Sequence, residues 1–314
     1  METIHITYPL REELPSGPVA LAIGYFDGVH RGHQAVIESA RRLAESTGAK
    51  TGIMIFHPHP REVLGKGTMS HYLTPLPEKL RQFAKLGVDR TYVVRFDKDF
   101  ARLSKESFVK EVLLPLEVSG MACGFNFSFG QGAEGKAEDL KQLGEGYFEV
   151  MITTPIDLEG SPVSSTRLRG LLAAGQVEEA AQILGRPFSL RGRVGEGDRR
   201  GRTIGYPTAN LILEEPYTVP LEGVYAVTVN WGDEERAKGM MNIGHRPTFN
   251  DPIPRRTLEV HLFDRDEDLY GQELTVHFYH RLRKEKRFQS VDELIAQLKK
   301  DEQDARRFLQ QKLS

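Results

Sequence analysis

Gly24-Tyr25-Phe26-Asp27-Gly28-Val29-His30-Arg31-Gly32-His33 follows the apolar run Val19 to Ile23 and leads into a segment of helical periodicity. A short buried-type strand, glycines that permit tight turns, and then a helix start form the strand-loop-helix order that suits a phosphate. The start of a helix presents unpaired N–H groups and a partial positive charge, and His30 and His33 add donors to an anion held there. Beyond His33, Val36, Ile37, Ala40, Leu43 and Ala44 recur at helical spacing, and Gly48 marks a stop. Two other nucleotide-loop templates do not fit. The stretch has no Gly-x-x-x-x-Gly-Lys-Ser/Thr, and Gly24, Gly28 and Gly32 are too widely spaced for Gly-x-Gly-x-x-Gly. Spacing alone leaves an ordinary structural turn open beside the phosphate loop.

Working outward, Thr51 to Phe56, Thr91 to Phe96, Val118 to Cys123 and Tyr147 to Ile152 read as further strands. Helical patterns at Pro77 to Leu86 and Ser104 to Leu113 lie between them. This alternation predicts a mostly parallel sheet with helices on its faces, whose ligands bind beyond the carboxyl ends of the strands. The texture changes near Gly185-Arg-Pro187. Leu190 to Val194, Thr208 to Leu213, Gly223 to Asn230, Arg236 to Ile243, Thr257 to Phe263 and Glu273 to Phe278 read as strands separated by turns, which predicts an antiparallel sandwich or barrel. A long helix closes the chain, with Ser290-x-x-Glu293 as its capping box and Leu294, Ile295, Leu298, Ala305, Phe308 and Leu309 as its apolar stripe. The domain boundaries expected are therefore 1–184 and 185–314.

The 314 residues are 39% hydrophobic and 27% charged, with a formal net charge of −2, so two globular domains fit and no global field favours nucleic acid or an anionic membrane. The single cysteine, Cys123, reads as a buried strand residue, and no Cys/His cluster has structural zinc spacing. The N-terminus has no basic and apolar leader and no apolar run is long enough to span a bilayer, so a cytoplasmic protein is expected.

Gly195 to Asn210 carries four glycines (Gly195, Gly197, Gly201, Gly205), then Arg199, Arg200 and Arg202, and then Thr208 and Asn210 entering a strand. It reads either as a flap over an anion, with Thr208 and Asn210 facing a nucleotide-borne Mg²⁺, or as an exposed hairpin loop with a basic face. In Leu258-Glu-Val-His-Leu262 the alternation puts Glu259 and His261 on one face, where Glu259 is either a general base for a hydroxyl or part of a solvated surface. Ser164-Ser-Thr-Arg167 opens another helix, as caps or as a polyphosphate grip. Gly124-Phe-Asn126-Phe-Ser-Phe-Gly130 shapes a loop around a planar ring or supplies core phenylalanines. The basic run Arg281 to Arg287 reads as a solvated surface.

Together these segments resemble the bacterial bifunctional riboflavin kinase/FAD synthetase family over nearly the whole chain. The markers are Gly24 to His33, Phe56-His-Pro-His-Pro-Arg61, Ser164 to Arg167, Gly205-Tyr-Pro-Thr-Ala-Asn210, Arg246-Pro-Thr-Phe249 and Leu258 to Asp264 followed by Leu269-Tyr-Gly271. The resemblance implies a Rossmann-like nucleotidyltransferase domain and a six-stranded antiparallel β-barrel with a terminal helix. It implies phosphorylation of riboflavin by ATP to FMN and ADP in the C-terminal domain. In the N-terminal domain it implies adenylylation of FMN by ATP to FAD and pyrophosphate. By the same resemblance, Gly24, Phe26, Asp27, Gly28, His30, Gly32, His33, Asn126, Ser164, Ser165, Thr166 and Arg167 bind ATP for adenylyl transfer, with His30, His33 and Arg167 stabilising charge. Gly195, Gly201, Arg202, Gly205, Pro207, Thr208 and Asn210 bind ATP for the kinase, Thr208 and Asn210 meet Mg²⁺, and Glu259 is the base. The chain departs from the family pattern at Asn126, where Asp is frequent, and at His57, where an acid is common. An enzyme with one active half, a nucleotide-sensing regulator and a tRNA synthetase with Leu103-Ser-Lys-Glu106 as its second signature are the competing readings.

Overall fold

A computed structural model describes residues 1–10, 14–65, 67, 70–195, 204–232, 235–246, 255–265 and 267–313. Its contacts divide the chain into two compact units, Met1–Ser165 and Thr166–Ser314. In the first unit the strands of the main sheet are Glu2–Ile6 (β1), Val19–Ile23 (β2), Lys50–His57 (β3), Arg90–Arg95 (β4), Val118–Gly124 (β5) and Glu149–Thr153 (β6), beside two short antiparallel ribbons. The strands of the main sheet all pair in parallel, in the order β1-β4-β3-β2-β5-β6. Every residue of β2 is buried, as a central strand covered on both faces requires. Leu21 and Ile23 enter one core with Met54 and Tyr92, while Ala22 faces the other with Ile53, Ile55 and helix Arg31–Thr47 (α1). The predicted stripe Val36, Ile37, Ala40, Leu43 and Ala44 is the buried face of α1, and Gly48 caps it with φ 66°. Cys123 is fully buried on β5.

The chain runs from β2 to β3 and β4 on one side and then returns to β5 on the other. The order reverses between β2 and β5, and the crevice at their carboxyl ends is where such sheets bind ligands. Strand β1 was not anticipated. It pairs only with β4 at the sheet edge. Helix Leu76–Lys85 (α2) matches its prediction, but the one expected over Ser104 to Leu113 is broken into an α-turn at Lys105–Phe108, a π-turn at Val109–Leu113 and a 3₁₀ turn at Leu114–Leu116. Pro115 explains the break, since it has no N–H for the ladder and its ring crowds the carbonyl one turn back. Ala137–Leu143 (α3) completes this unit.

Helices Ser165–Ala174 (α4) and Val177–Leu184 (α5) open the second unit. Its strands are Phe188–Gly195 (β7), Ala209–Ile212 (β8), Gly223–Trp231 (β9), Glu235–Arg246 (β10), Arg255–Leu262 (β11) and Glu273–Arg283 (β12). They form a closed antiparallel barrel in the order β7-β8-β11-β10-β9-β12, with β12 paired back onto β7, so the barrel alternative holds and the sandwich does not. The terminal helix Val291–Leu313 (α6) packs on β9, β10 and β12. Ser290 Oγ accepts from the Glu293 N–H at 3.2 Å as a cap should, while the Glu293 carboxylate reaches back to the Gln289 N–H at 3.0 Å. The most deeply buried polar contact of α6 is at Asp301. Asp301, 3% exposed, takes Arg283 at 2.8 to 3.0 Å and Gln297 at 2.8 Å.

Candidate active sites

At the end of β2 the chain turns through Gly24 to His30 with three left-handed residues, Phe26 (φ 52°), Gly28 (φ 95°) and Val29 (φ 44°). Such a conformation costs a residue other than glycine roughly 1–3 kcal/mol, and it persists only where the surroundings fix it. They do so here. The Phe26 ring is buried against Phe83 and His33, the Gly28 N–H donates to Thr74 Oγ1 at 2.8 Å, and the Thr74 N–H donates to Asp27 Oδ1 at 3.1 Å. Phe26 and Asp27, 1% and 3% exposed, are thus held inside the loop. His30 is the N-cap of α1, its Nδ1 accepting from the His33 N–H at 3.3 Å, and the two imidazoles stack at 3.6 Å. A side chain at Gly32 would press on the His30 ring, so this glycine makes room for the pair.

Across the crevice, β5 ends at Gly124, and the Asn126 side chain folds back so that its Oδ1 would stand 3.2 Å from a Cβ there. Ser165 Oγ donates to the Asp27 carbonyl at 2.7 Å. Ser164 precedes it, and Thr166 and Arg167 continue the first turn of α4. A cavity of about 240 Å³ is lined by Phe56, Phe96, Phe100, Phe108 and Phe129, an aromatic enclosure that only partly uses the Phe125 to Gly130 loop.

In the barrel, Glu259 on β11 is paired in register with Asn210 on β8 and with Asn242 on β10. Side chains directly opposite one another share a sheet face, so a carboxylate lies between two amides. Glu259, His261, Thr208, Asn242 and Tyr206 line one cavity of about 500 Å³, whose apolar wall includes Val224, Met240, Phe288 and Leu298. His261 Nδ1 lies 2.7 Å from the Pro207 carbonyl and its ring 5.1 Å from Tyr206, which ties the segment before β8 to β11. Thr208 also lines a smaller cleft of about 60 Å³ with Gly195, Pro207, Ala209 and Tyr270. It stands between an apolar chamber and a glycine-bearing one. Gly205 has φ 81°, and a side chain at Gly195 would displace the Ile212 side chain.

Two family models match the chain in succession: FAD synthetase over residues 13–167 and riboflavin kinase over residues 184–309. A bifunctional riboflavin kinase/FMN adenylyltransferase of Listeria monocytogenes is 43% identical over 310 residues, covering 98% of each chain. The protein of that name from Escherichia coli K12 is 41% identical over 298 residues, 94% of each. This chain belongs to the bifunctional riboflavin kinase/FMN adenylyltransferase family. A crystal structure of a Streptococcus pneumoniae protein named as macrolide-efflux shares the fold throughout, with TM-score 0.88 and 33% identity over 96% of this chain and 99% of that one. Among the described residues, no helix is long and apolar enough to cross a membrane.

In the adenylyltransferase half the structure brings together Gly24, Asp27, Gly28, His30, Gly32, His33 and Ser165, with Asn126 on the adjoining strand end. In the kinase half it brings together Pro207, Thr208, Asn210 and Glu259. Gly201 and Arg202, with Arg199 and Arg200, lie outside the described residues, as does Pro247 to Phe249. Sequence reading missed Asn242. Its signal is a polar residue within the apolar run Met240-Met-Asn-Ile243, which acquires meaning only from the register with Glu259. The Arg281 to Arg287 run also needs correction. Arg283 pairs with Asp301 and Arg281 donates to the Glu222 carbonyl, because the strand extends through Arg283 and turns these two side chains to partners, while Lys284 to Arg287 beyond it are exposed, with Glu285 and Lys286 on the rim of the large cavity.

Proposed function

We propose that the kinase half phosphorylates riboflavin on its ribityl 5′-hydroxyl with Glu259 as the base, and that the adenylyltransferase half joins the resulting FMN to the AMP part of ATP at the Gly24–His33 loop. In this reading 1–184 and 185–314 are the working domains. The observation that carries it is the placement of Glu259 beside Asn210 on the wall of a chamber shared with Thr208. The apolar wall suits the flavin ring, and Thr208, which lines the glycine-bearing cleft as well, is placed to meet the ATP phosphates. Phosphoryl transfer is mainly a matter of positioning and charge, and one carboxylate can accept the hydroxyl proton. Among the described residues no cluster of three His, Cys, Asp or Glu could hold a metal by itself. The oxygens of Thr208 and Asn210 fit a Mg²⁺ brought in on the ATP phosphates, where it supplies charge neutralisation. Asn242, on the other flank of Glu259, orients the carboxylate.

Adenylyl transfer makes different demands. The FMN phosphate is already an anionic nucleophile, so no base and no covalent enzyme intermediate are needed. His30, His33, the N-terminus of α1 and Arg167 neutralise charge on the α-phosphate and the leaving pyrophosphate. The phenylalanine-lined cavity is the place for the flavin ring in this half. Because both reactions draw on ATP, we assign the enzyme to the cytoplasm, and its balanced charge gives no reason to invoke nucleic acid. Incubating the protein with riboflavin, ATP and Mg²⁺ and separating the flavins tests the assignment: FMN should rise first and FAD follow. Accumulation of FMN without FAD, over a range of ATP and reductant concentrations, would overturn it.

A further inference from the structure

Lys79 sits in the first turns of α2, in the sequence Leu76-Pro-Glu-Lys-Leu-Arg-Gln82, and is 4% exposed. Its Nζ donates to the Tyr25 carbonyl at 2.8 Å and stands 4.1 Å from the centroid of the Tyr25 ring. The same ring meets His59 edge-on at 4.0 Å and Tyr72 through a hydrogen bond, and Tyr72 in turn donates to Glu62 at 2.8 Å. Burial lowers the Lys79 ammonium to about 8, outweighing the attraction of the buried Asp27. Burying a cation is costly, so its place under this loop calls for a return.

The geometry of the peptide supplies one. A trans peptide is planar, with its C=O and N–H pointing in opposite directions. Pinning the Tyr25 carbonyl on Lys79 therefore turns the Phe26 N–H away from the lysine, and it does so at a residue whose left-handed φ of 52° the chain would not adopt unaided. We propose that Lys79 is a positioning residue for adenylyl transfer: it holds the Tyr25–Phe26 peptide so that its N–H faces the polyphosphate of ATP, and it places a positive charge beneath the loop. The inference rests on the reading of Gly24–His33 as the ATP loop.

The test uses the full-length enzyme supplied with FMN, ATP and Mg²⁺, with riboflavin phosphorylation in the same preparation as the control. Lys79→Met should lower kcat/KM for ATP in FAD formation roughly ten- to hundred-fold, the range for a charge-assisted hydrogen bond. KM for FMN and the kinase rate should stay within about two-fold. Lys79→Gln retains a donor without the charge, and Lys79→Arg retains both. Recovery should follow the order Met, Gln, Arg. A Lys79→Met enzyme whose ATP kinetics stay within two-fold of the parent would overturn the inference. So would equal losses for ATP and FMN with no recovery in Lys79→Arg, which would mark a merely structural lysine. If Lys79→Met does not fold, the Gln and Arg variants decide by the same criteria. His33→Ala separates the two readings: if it leaves FAD formation intact, the ATP-loop assignment itself fails. If it depresses FAD formation while the Lys79 variants do not, only the role of Lys79 is lost.

Discussion

Glu259 sits in strand register between Asn210 and Asn242, and its removal as a base should be expensive. Glu259→Gln keeps the shape and the hydrogen bonding but not the proton acceptor. It should slow FMN formation about 10²- to 10⁴-fold, with FAD formation from added FMN unchanged, as flavin chromatography would reveal. Unaltered FMN formation would move the base elsewhere. Asn210→Ala should also cut FMN formation, about ten-fold or more, by loosening the ATP phosphates and their metal. His33→Ala acts in the opposite sense, depressing FAD formation by about ten- to hundred-fold and sparing the kinase. Loss of both activities in either variant would mean that the substitution had disturbed the whole fold.

The elements that carry these residues differ in how much of their role a sequence can disclose. Helix α1, its glycine stop and all six barrel strands are written in local periodicity and turn residues, and they are where they were expected. Strand β1 escapes because Glu-Thr-Ile-His-Ile is short and alternates weakly, and its pairing with β4 is a long-range fact. Lys79, Asn242 and the Arg283–Asp301 pair escape for the same reason: each is a polar residue on an otherwise ordinary element, given a role by what tertiary structure sets against it. Asp301→Ala should show this for α6. Leaving the mostly buried Arg283 without its acid should cost about 3–5 kcal/mol by denaturant titration, and it should raise KM for riboflavin because Arg283 and Leu298 line the same chamber. Helix α2 makes a prediction about pH. With Lys79 near 8 in the fold against an ordinary 10.5, the unfolded chain holds more protons between those values, so stability rises with pH in that window. Compared with Lys79→Met, the parent should gain up to about 3 kcal/mol between pH 7 and 10.5. A difference that shrinks or stays flat would show that the ammonium is not penalised.

At the scale of the whole molecule, two chemistries with separate needs occupy two compact units of one chain. FMN, the product of one, is the substrate of the other. If FMN travels through solution, mixing the His33→Ala and Asn210→Ala enzymes should restore FAD formation from riboflavin. A mixture that makes only FMN would show transfer within a single molecule. The closure of the barrel also has a bearing on synthesis. The adenylyltransferase sheet has all its strands once residue 153 has left the ribosome, whereas β7 must wait for β12, whose last residue is Arg283, and the chamber wall waits further for α6. Domains generally fold in the order they are made. A message broken near its 3′ end should therefore yield chains that consume FMN but do not make it, which FAD formation from added FMN by a chain ending before β12 would check.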